Sequence, residues 1–173
     1  MADAPQLEII DSFLSGQAEL FAHLVQTVSW DDRMAARRTA SFGRAYDYSQ
    51  MTYPEIALPT ELIDVAERLE RRLRIRFNNC LLNYYETGDN TMGFHADETA
   101  GLMPGTGVAI VSLGSVREIT FRRTSNPTVR VSFPLAPGSL LYMDSAVQDH
   151  WQHAIKKQKH AGARISITWR AIA

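Results

Sequence analysis

The chain has 173 residues, 45% of them hydrophobic and 21% charged, a composition that suits one globular domain with a buried core and is too short for two ordinary ones. A net charge of −1 excludes a global polycation, so a polyanionic partner would have to be held by local basic clusters. Cys80 is the single cysteine, which excludes an internal disulfide and a thiolate zinc cluster. With no apolar run near the ~20 residues of a membrane helix and no signal-like start, the expectation is a cytoplasmic protein without membrane association.

In chain order, Ser15 is a candidate cap for a first helix in which Leu20, Phe21, Leu24, Val25 and Val28 recur at helical spacing. Residues 30–59 follow, rich in aromatic, Gly and Pro residues and without steady periodicity, and read as a long functional connection. Thr60 after Pro59 opens a second helix, with Leu62, Ala66, Leu69 and Leu73 on one face and Glu and Arg opposite. From residue 76 the pattern turns to short β-type runs at 76–85, 107–113, 118–123, 128–133, 139–143 and 164–171, bounded by Gly, Pro, Asn and Asp. Helices followed by short strands predict an α+β chain, helices packed on a jelly-roll sandwich, in a single domain spanning 1–173.

Basic residues cluster locally: Arg33, Arg37, Arg38 and Arg44; Arg71, Arg72, Arg74 and Arg76; Arg122, Arg123 and Arg130; Lys156, Lys157 and Lys159. Such clusters are solvated faces more often than binding sites, and charge alone decides nothing.

The chemistry begins at Gly93-Phe94-His95-Ala96-Asp97-Glu98. His95 and Asp97 are two apart, so on extended backbone they point to one side and can take adjacent positions on a metal. His153 adds a second imidazole. Two histidines and one carboxylate form the facial set that leaves metal positions open and suits non-haem iron(II) and oxygen. A zinc hydrolase can use similar ligands. Arg164 and Arg170 favour the oxygenase. They are six apart on one predicted strand and share a face, and arginine reads carboxylates bidentately. A dicarboxylate such as 2-oxoglutarate could chelate iron at one end and reach an arginine at the other.

On these residues the chain resembles the AlkB-type iron(II)/2-oxoglutarate dioxygenases. Four signatures occur in family order: Asn83-Tyr84-Tyr85 as Asn-x-Tyr, His95-Ala96-Asp97 as His-x-Asp, the distal His153, and Arg164 with Arg170 after five intervening residues. The resemblance implies a double-stranded β-helix fold, with His95, Asp97 and His153 as catalytic iron ligands. It also implies Asn83, Tyr85, Arg164 and Arg170 as contacts of the 2-oxoglutarate co-substrate, Arg164 on the distal carboxylate, and O2 as the other co-substrate.

Phe42-Gly43, Tyr46-Asp47-Tyr48-Ser49, Pro104-Gly105, Val111-Ser112-Leu113-Gly114 and Phe121-Arg122 resemble the nucleic-acid-demethylating branch. That implies oxidative demethylation, a direct-reversal repair of bases such as 1-methyladenine and 3-methylcytosine in DNA or RNA, releasing succinate, CO2 and formaldehyde. Residues 30–59 would then form a substrate lid, with Tyr46, Tyr48 and Glu98 as substrate contacts and arginines 33, 37, 38 and 44 on phosphates. Two departures are Thr99, where several demethylases carry an acidic residue, and Ser166, which replaces an Asn after the first arginine. The alternative reading is a protein or lipid hydroxylase with the same iron chemistry. No obligate protein partner is evident. Trp151 reads as packing, and His150, His23 and His160 as residues outside the site.

Overall fold

Residues 164–170 show how the chain is built. Arg164, Ser166, Thr168 and Arg170 alternate with Ile165, Ile167 and Trp169, and all seven are buried. A strand buried on both faces must satisfy a polar cavity on one side and an apolar layer on the other.

The computed structural model describes residues 3–48 and 51–173, excluding the side chain of Tyr48. Strand β1 (Glu8–Ile10) precedes helix α1 (Gln17–Thr27), strand β2 (Arg38–Gly43), a hairpin of β3 (Tyr46–Tyr48) and β4 (Met51–Tyr53), and helix α2 (Thr60–Leu73). Then come β5 (Asn79–Tyr85), β6 (Met92–His95), β7 (Val108–Gly114), β8 (Arg117–Arg123), β9 (Asn126–Leu135), β10 (Leu140–Met143), the short helix α3 (Ser145–His150), β11 (Trp151–Ile155) and β12 (Arg164–Arg170). Two antiparallel sheets face each other, one ordered β1-β10-β7-β12-β5-β2 and the other β6-β11-β8-β9. This is the expected jelly-roll.

Two apolar layers hold it together. Leu62, Val65 and Leu69 of α2 and Leu24 of α1 pack on Cys80, Leu82, Val111, Leu113, Ile165, Ile167 and Trp169, the helix-side face of the large sheet. Between the sheets lie Val108, Ile110, Ile119, Phe121, Leu135, Leu141 and Trp151. Trp151 is packing, as expected. Burial pushes the Cys80 thiol far up, so it is inert filling.

Residues 30–59 depart from the expected connection. β2 is an edge strand of the large sheet, paired with β5 from Arg38↔Tyr84 to Gly43↔Asn79. Thr39, Ala40 and Ser41 are buried, so no polar alternation advertises the strand. At its end Gly43 has φ +84°, and a Cβ there would lie 2.2 Å from the Asn78 carbonyl oxygen. Only glycine allows this turn into the β3–β4 hairpin without moving β5. Helix α1 starts at Gly16 and not through a Ser15 side-chain cap. Residues 145–150, for which the sequence pattern predicts no element, form α3, which Asp144 caps by accepting from the Val147 N–H at 3.1 Å.

Candidate active site and metal centre

The register of the small sheet creates the central cluster. His153 on β11 is directly opposite His95 on β6, and their rings lie 4.4 Å apart. Asp97, two residues past His95, turns its carboxylate between them: Oδ1 is 3.8 Å from His95 Nε2 and Oδ2 is 3.6 Å from His153 Nε2. The candidate ligand atoms all lie within 4.8 Å of one another. The His95 Nδ1–H donates to the Gly93 carbonyl at 2.8 Å, which leaves Nε2 with its lone pair toward the cluster.

Electrostatics keep the cluster in its ligating form. Burial pushes the Asp97 carboxyl up, but the Arg170 guanidinium and the two imidazoles outweigh it and hold the group at about 2. Arg170 Nη2 donates to Asp97 Oδ1 at 2.6 Å. Burial pushes the His153 imidazole down to about 4 against the pull of Asp97, so it is neutral at physiological pH. Metal binding needs deprotonated ligands, and both groups meet that condition.

A narrow cleft extends from the cluster between the sheets. Asn83 and Tyr85 of β5 line it, with Arg164, Ser166, Thr168 and Arg170 of β12. At the end away from the cluster, Arg164 is buried and donates through Nη2 to Ser112 Oγ at 2.9 Å. Its Nε and Nη1 and the Tyr85 hydroxyl are buried with no hydrogen-bond partner. Near the cluster, Asp97 Oδ2 is likewise buried and unpartnered. Buried polar atoms are normally satisfied, and these lie where a cation and a carboxylate would satisfy them. Two imidazoles and one carboxylate suit iron(II), and donors 164 and 85 suit the far carboxylate of 2-oxoglutarate. The residues present fit both groups.

All seven residues expected to hold metal and co-substrate line this cavity. Arg170 meets Asp97, whereas Arg164 sits by Ser112, so the two arginines serve opposite ends. Of the expected substrate residues, Tyr46 lies with its ring 4.6 Å from the Arg170 guanidinium. Glu98 is exposed, and shares with Tyr46 a neighbouring surface cavity of about 640 Å³. The Tyr48 side chain lies outside the described residues. Thr99 closes a turn by accepting from the Leu102 N–H at 3.1 Å.

Within the first arginine cluster, Arg33, Arg38 and Arg44 are exposed, and only the expected phosphate role of Arg37 needs correction. Arg37 is buried, with Nε donating to Asn83 Oδ1 at 2.7 Å and Nη1 to the Thr91 carbonyl at 2.9 Å. Arg33 pairs with Asp31 and Arg38 with Glu86, and Arg44 donates to the Ala173 carbonyl at 3.3 Å. His150, His23 and His160 are exposed, and none is in the cluster.

Two residues escaped sequence reasoning. Gln148 on α3 accepts from the Asp97 N–H at 2.8 Å and is buried, fixing the backbone of a candidate ligand. Its neighbour Val147 is also buried, but nothing in a six-residue polar-looking segment signals that. Arg117 is fully buried and donates to the Asn90 and Lys156 carbonyls at 2.8 and 2.7 Å. It ties the turn before β6 to the end of β11.

The profile of the 2OG-Fe(II) oxygenase superfamily matches residues 9–170. The chain is 34% identical over 151 residues to the DNA oxidative demethylase ALKBH2 of Homo sapiens, a match covering 79% of this chain and 56% of that protein. It is 29% identical over 173 positions to the alpha-ketoglutarate-dependent dioxygenase alkB homolog 3 of Rattus norvegicus, covering 88% of this chain and 59% of the relative. The chain thus spans less than two thirds of the length of these relatives. The solved structure of OsALKBH1 superposes with a TM-score of 0.69 at 17% identity, covering 96% of this chain and 98% of that one, a likeness of fold. The chain belongs to the 2OG-Fe(II) oxygenase superfamily as an AlkB-type member, a family whose enzymes use Fe(II), 2-oxoglutarate and O2.

Proposed function

We propose that this chain oxidatively demethylates alkylated bases, such as 1-methyladenine and 3-methylcytosine, in DNA or RNA. The observation that carries this reading is the placement of Tyr46 and Glu98. An aromatic ring and a carboxylate line one open cavity beside the His95/Asp97/His153 cluster, the ring resting on the arginine that holds Asp97. A flipped or single-stranded base needs a stacking surface and a contact to its polar edge. Bases methylated at these positions are cationic, so the Glu98 carboxylate favours them over unmodified neutral bases. The names of the ALKBH2 and alkB homolog 3 relatives point the same way.

Iron(II) with 2-oxoglutarate and O2 supplies the oxidation that places a hydroxyl on the N-methyl carbon, after which the C–N bond breaks and formaldehyde leaves. The chain's residues bind and orient. His95, Asp97 and His153 would hold the metal, with Arg170 keeping Asp97 ionised. Arg164, Tyr85 and Asn83 would hold the 2-oxoglutarate end of the cavity. The apolar walls Ile110, Ile119, Leu135 and Ile155 exclude water from it. Tyr46 would place the base at the mouth.

The test is incubation of the iron-loaded protein with oligonucleotides carrying single defined methyl lesions, read by mass spectrometry with and without 2-oxoglutarate. Loss of the methyl group, one formaldehyde per succinate, is expected. Turnover of 2-oxoglutarate with every oligonucleotide left intact would refute nucleic-acid demethylation and favour hydroxylation of another substrate.

A further inference from the structure

Both sheets contribute to the end of the cleft away from the histidines. On the large sheet Arg164 has Tyr85 as its cross-strand neighbour on one side and Gly114, without a side chain, on the other. On the small sheet Arg117 heads the inward row of β8, with Ile119 and Phe121 following at even spacing, and all three are fully buried. The Arg117 guanidinium lies 5.3 Å from the centroid of the Tyr85 ring, and the Arg164 guanidinium lies 5.3 Å from the same centroid. One fully buried aromatic ring therefore carries a cation from each sheet.

Arg117 is fastened at its tip. Nη2 donates to the Asn90 and Lys156 carbonyls at 2.8 and 2.7 Å, and Nη1 to the Thr87 carbonyl at 3.3 Å. These acceptors lie in the turn after β5 and just past β11, so the guanidinium cannot leave the ring without releasing them. Among the described residues neither Arg117 nor Arg164 bonds a carboxylate; Arg164 donates to Ser112 Oγ. A neutral amide could staple backbone carbonyls without the cost of burying a cation. What it could not supply is the attraction of a planar cation for a ring face. The Tyr85 hydroxyl is buried and without a hydrogen-bond partner, as are Arg164 Nε and Nη1. Burial draws the pKa of both guanidiniums down, and at Arg164 the charge of Arg117 adds to that effect. This end of the cleft is electropositive and holds no counter-ion of its own.

We propose that Arg117 is a positioning residue for the far carboxylate of 2-oxoglutarate, holding the Tyr85 ring so that the Tyr85 hydroxyl and the Arg164 guanidinium converge on that one group. It acts through Tyr85 and does not itself touch the co-substrate, because its guanidinium is spent on the three carbonyls. This rests on the reading of Tyr85 and Arg164 as co-substrate contacts and is independent of which substrate is oxidised. A hydroxyl at the end of a rigid ring makes a directed hydrogen bond only if the ring is fixed in place. Tyr85 is fixed on the large sheet by the backbone of β5, and from the small sheet by the Arg117 guanidinium. Arg117 stands apart in sequence from every motif residue of the cleft, and only the facing of the two sheets brings it to Tyr85.

The experiment is anaerobic calorimetry of the Fe(II)-loaded protein with two ligands, 2-oxoglutarate and 2-oxopentanoate, which has the same chain but a methyl group in place of the far carboxylate. Arg117→Gln should raise the Kd of 2-oxoglutarate about fivefold, the worth of one hydrogen bond, and leave that of 2-oxopentanoate unchanged. Tyr85→Phe should show the same selective loss, and the double variant should bind no more weakly than Tyr85→Phe alone, since the two act as a unit. Arg117→Lys keeps the charge and the carbonyl donors but not the planar face. It should lose part of the selectivity, and it carries the test if Arg117→Gln fails to fold. Equal weakening of both ligands in the folded variants, or additive losses in the double variant, makes Arg117 a scaffold residue and overturns the proposal. So does wild-type affinity for 2-oxoglutarate in either folded Arg117 variant, while selective losses in Tyr85→Phe and Arg164→Met leave the co-substrate reading standing. Undiminished 2-oxoglutarate affinity in both Tyr85→Phe and Arg164→Met overturns that reading together with the proposal.

Discussion

Replacing Arg164 by methionine separates a binding residue from a structural one, because the two roles predict opposite signs. The side chain is 1% exposed, and its charge is served by a 2.9 Å hydrogen bond to Ser112 Oγ and by Tyr85, whose ring centroid lies 5.3 Å from the guanidinium, but by no carboxylate. Its Nε and Nη1 have no partner, and burial pushes its pKa down to about 10. A buried cation without a carboxylate costs stability, so the metal-free, ligand-free Arg164→Met protein should melt at or above the wild-type temperature. Binding should suffer instead. Charge-assisted hydrogen bonds contribute about 1.5–3 kcal/mol, which at ~1.4 kcal/mol per decade means a 2-oxoglutarate KM raised roughly 10- to 150-fold. Thermal shift under anaerobic Fe(II) gives an independent readout. At a hundredfold excess over Kd a ligand adds about 2.7 kcal/mol, or roughly 5–10 °C for a chain of this size, and most of that increment should vanish in the variant. Arg164→Lys should recover part of it, since an ammonium lacks the planar fork. A ligand-free Arg164→Met protein that melts several degrees lower while keeping the wild-type KM would show that the arginine is scaffold.

Three further outcomes are expected. Tyr46→Ala should weaken oligonucleotide turnover about tenfold or more, from ~1–3 kcal/mol of base stacking, while oligonucleotide-independent 2-oxoglutarate decay persists; equal losses in both would make Tyr46 a support for Arg170 only. Arg37→Met should raise the 2-oxoglutarate KM by about fivefold, the worth of one ~1 kcal/mol hydrogen bond, and leave kcat in place, because Arg37 holds Asn83 Oδ1 at 2.7 Å and so directs the amide N–H2 toward the cavity; a change in kcat alone would contradict this. Stability of the metal-free protein should fall as pH drops from 6.5 toward 4, since His153 titrates at about 4 when folded against 6.5 ordinarily and the unfolded chain takes up the proton first. Urea midpoints of wild type and His153→Leu across that window check it, and parallel slopes would exclude His153 as the cause.

The candidate site was legible where chemistry compels residue type and strand geometry compels spacing. His95, Asp97 and His153 are a candidate ligand set, and Arg164 and Arg170 sit at even spacing on a strand whose other face is Ile165, Ile167 and Trp169. β2 was hidden because its Thr39-Ala40-Ser41 run is small, polar and buried on both faces, so its identity comes from pairing with the distant β5. The same blindness affected charge. Arg37 and Arg38 are adjacent in sequence, yet alternation sends one into the interior to Asn83 and the other to the exposed Glu86.

Charge function in this fold is therefore decided by face and not by sequence neighbourhood. The sheet facing the cavity turns Arg164 and Arg170 inward, where low dielectric strengthens each contact to a small dicarboxylate or a ligand carboxylate. The opposing sheet turns Arg122 outward beside Arg130 and Lys156 around the Phe94 ring, where solvent screening weakens each single contact. β6 separates the two regimes at consecutive residues, Phe94 outward and His95 inward. A slip of one residue in that strand's register would exchange the faces and carry His95 out of the candidate ligand cluster, so pairing of β6 with β11 fixes both the geometry of that cluster and the face that Phe94 takes.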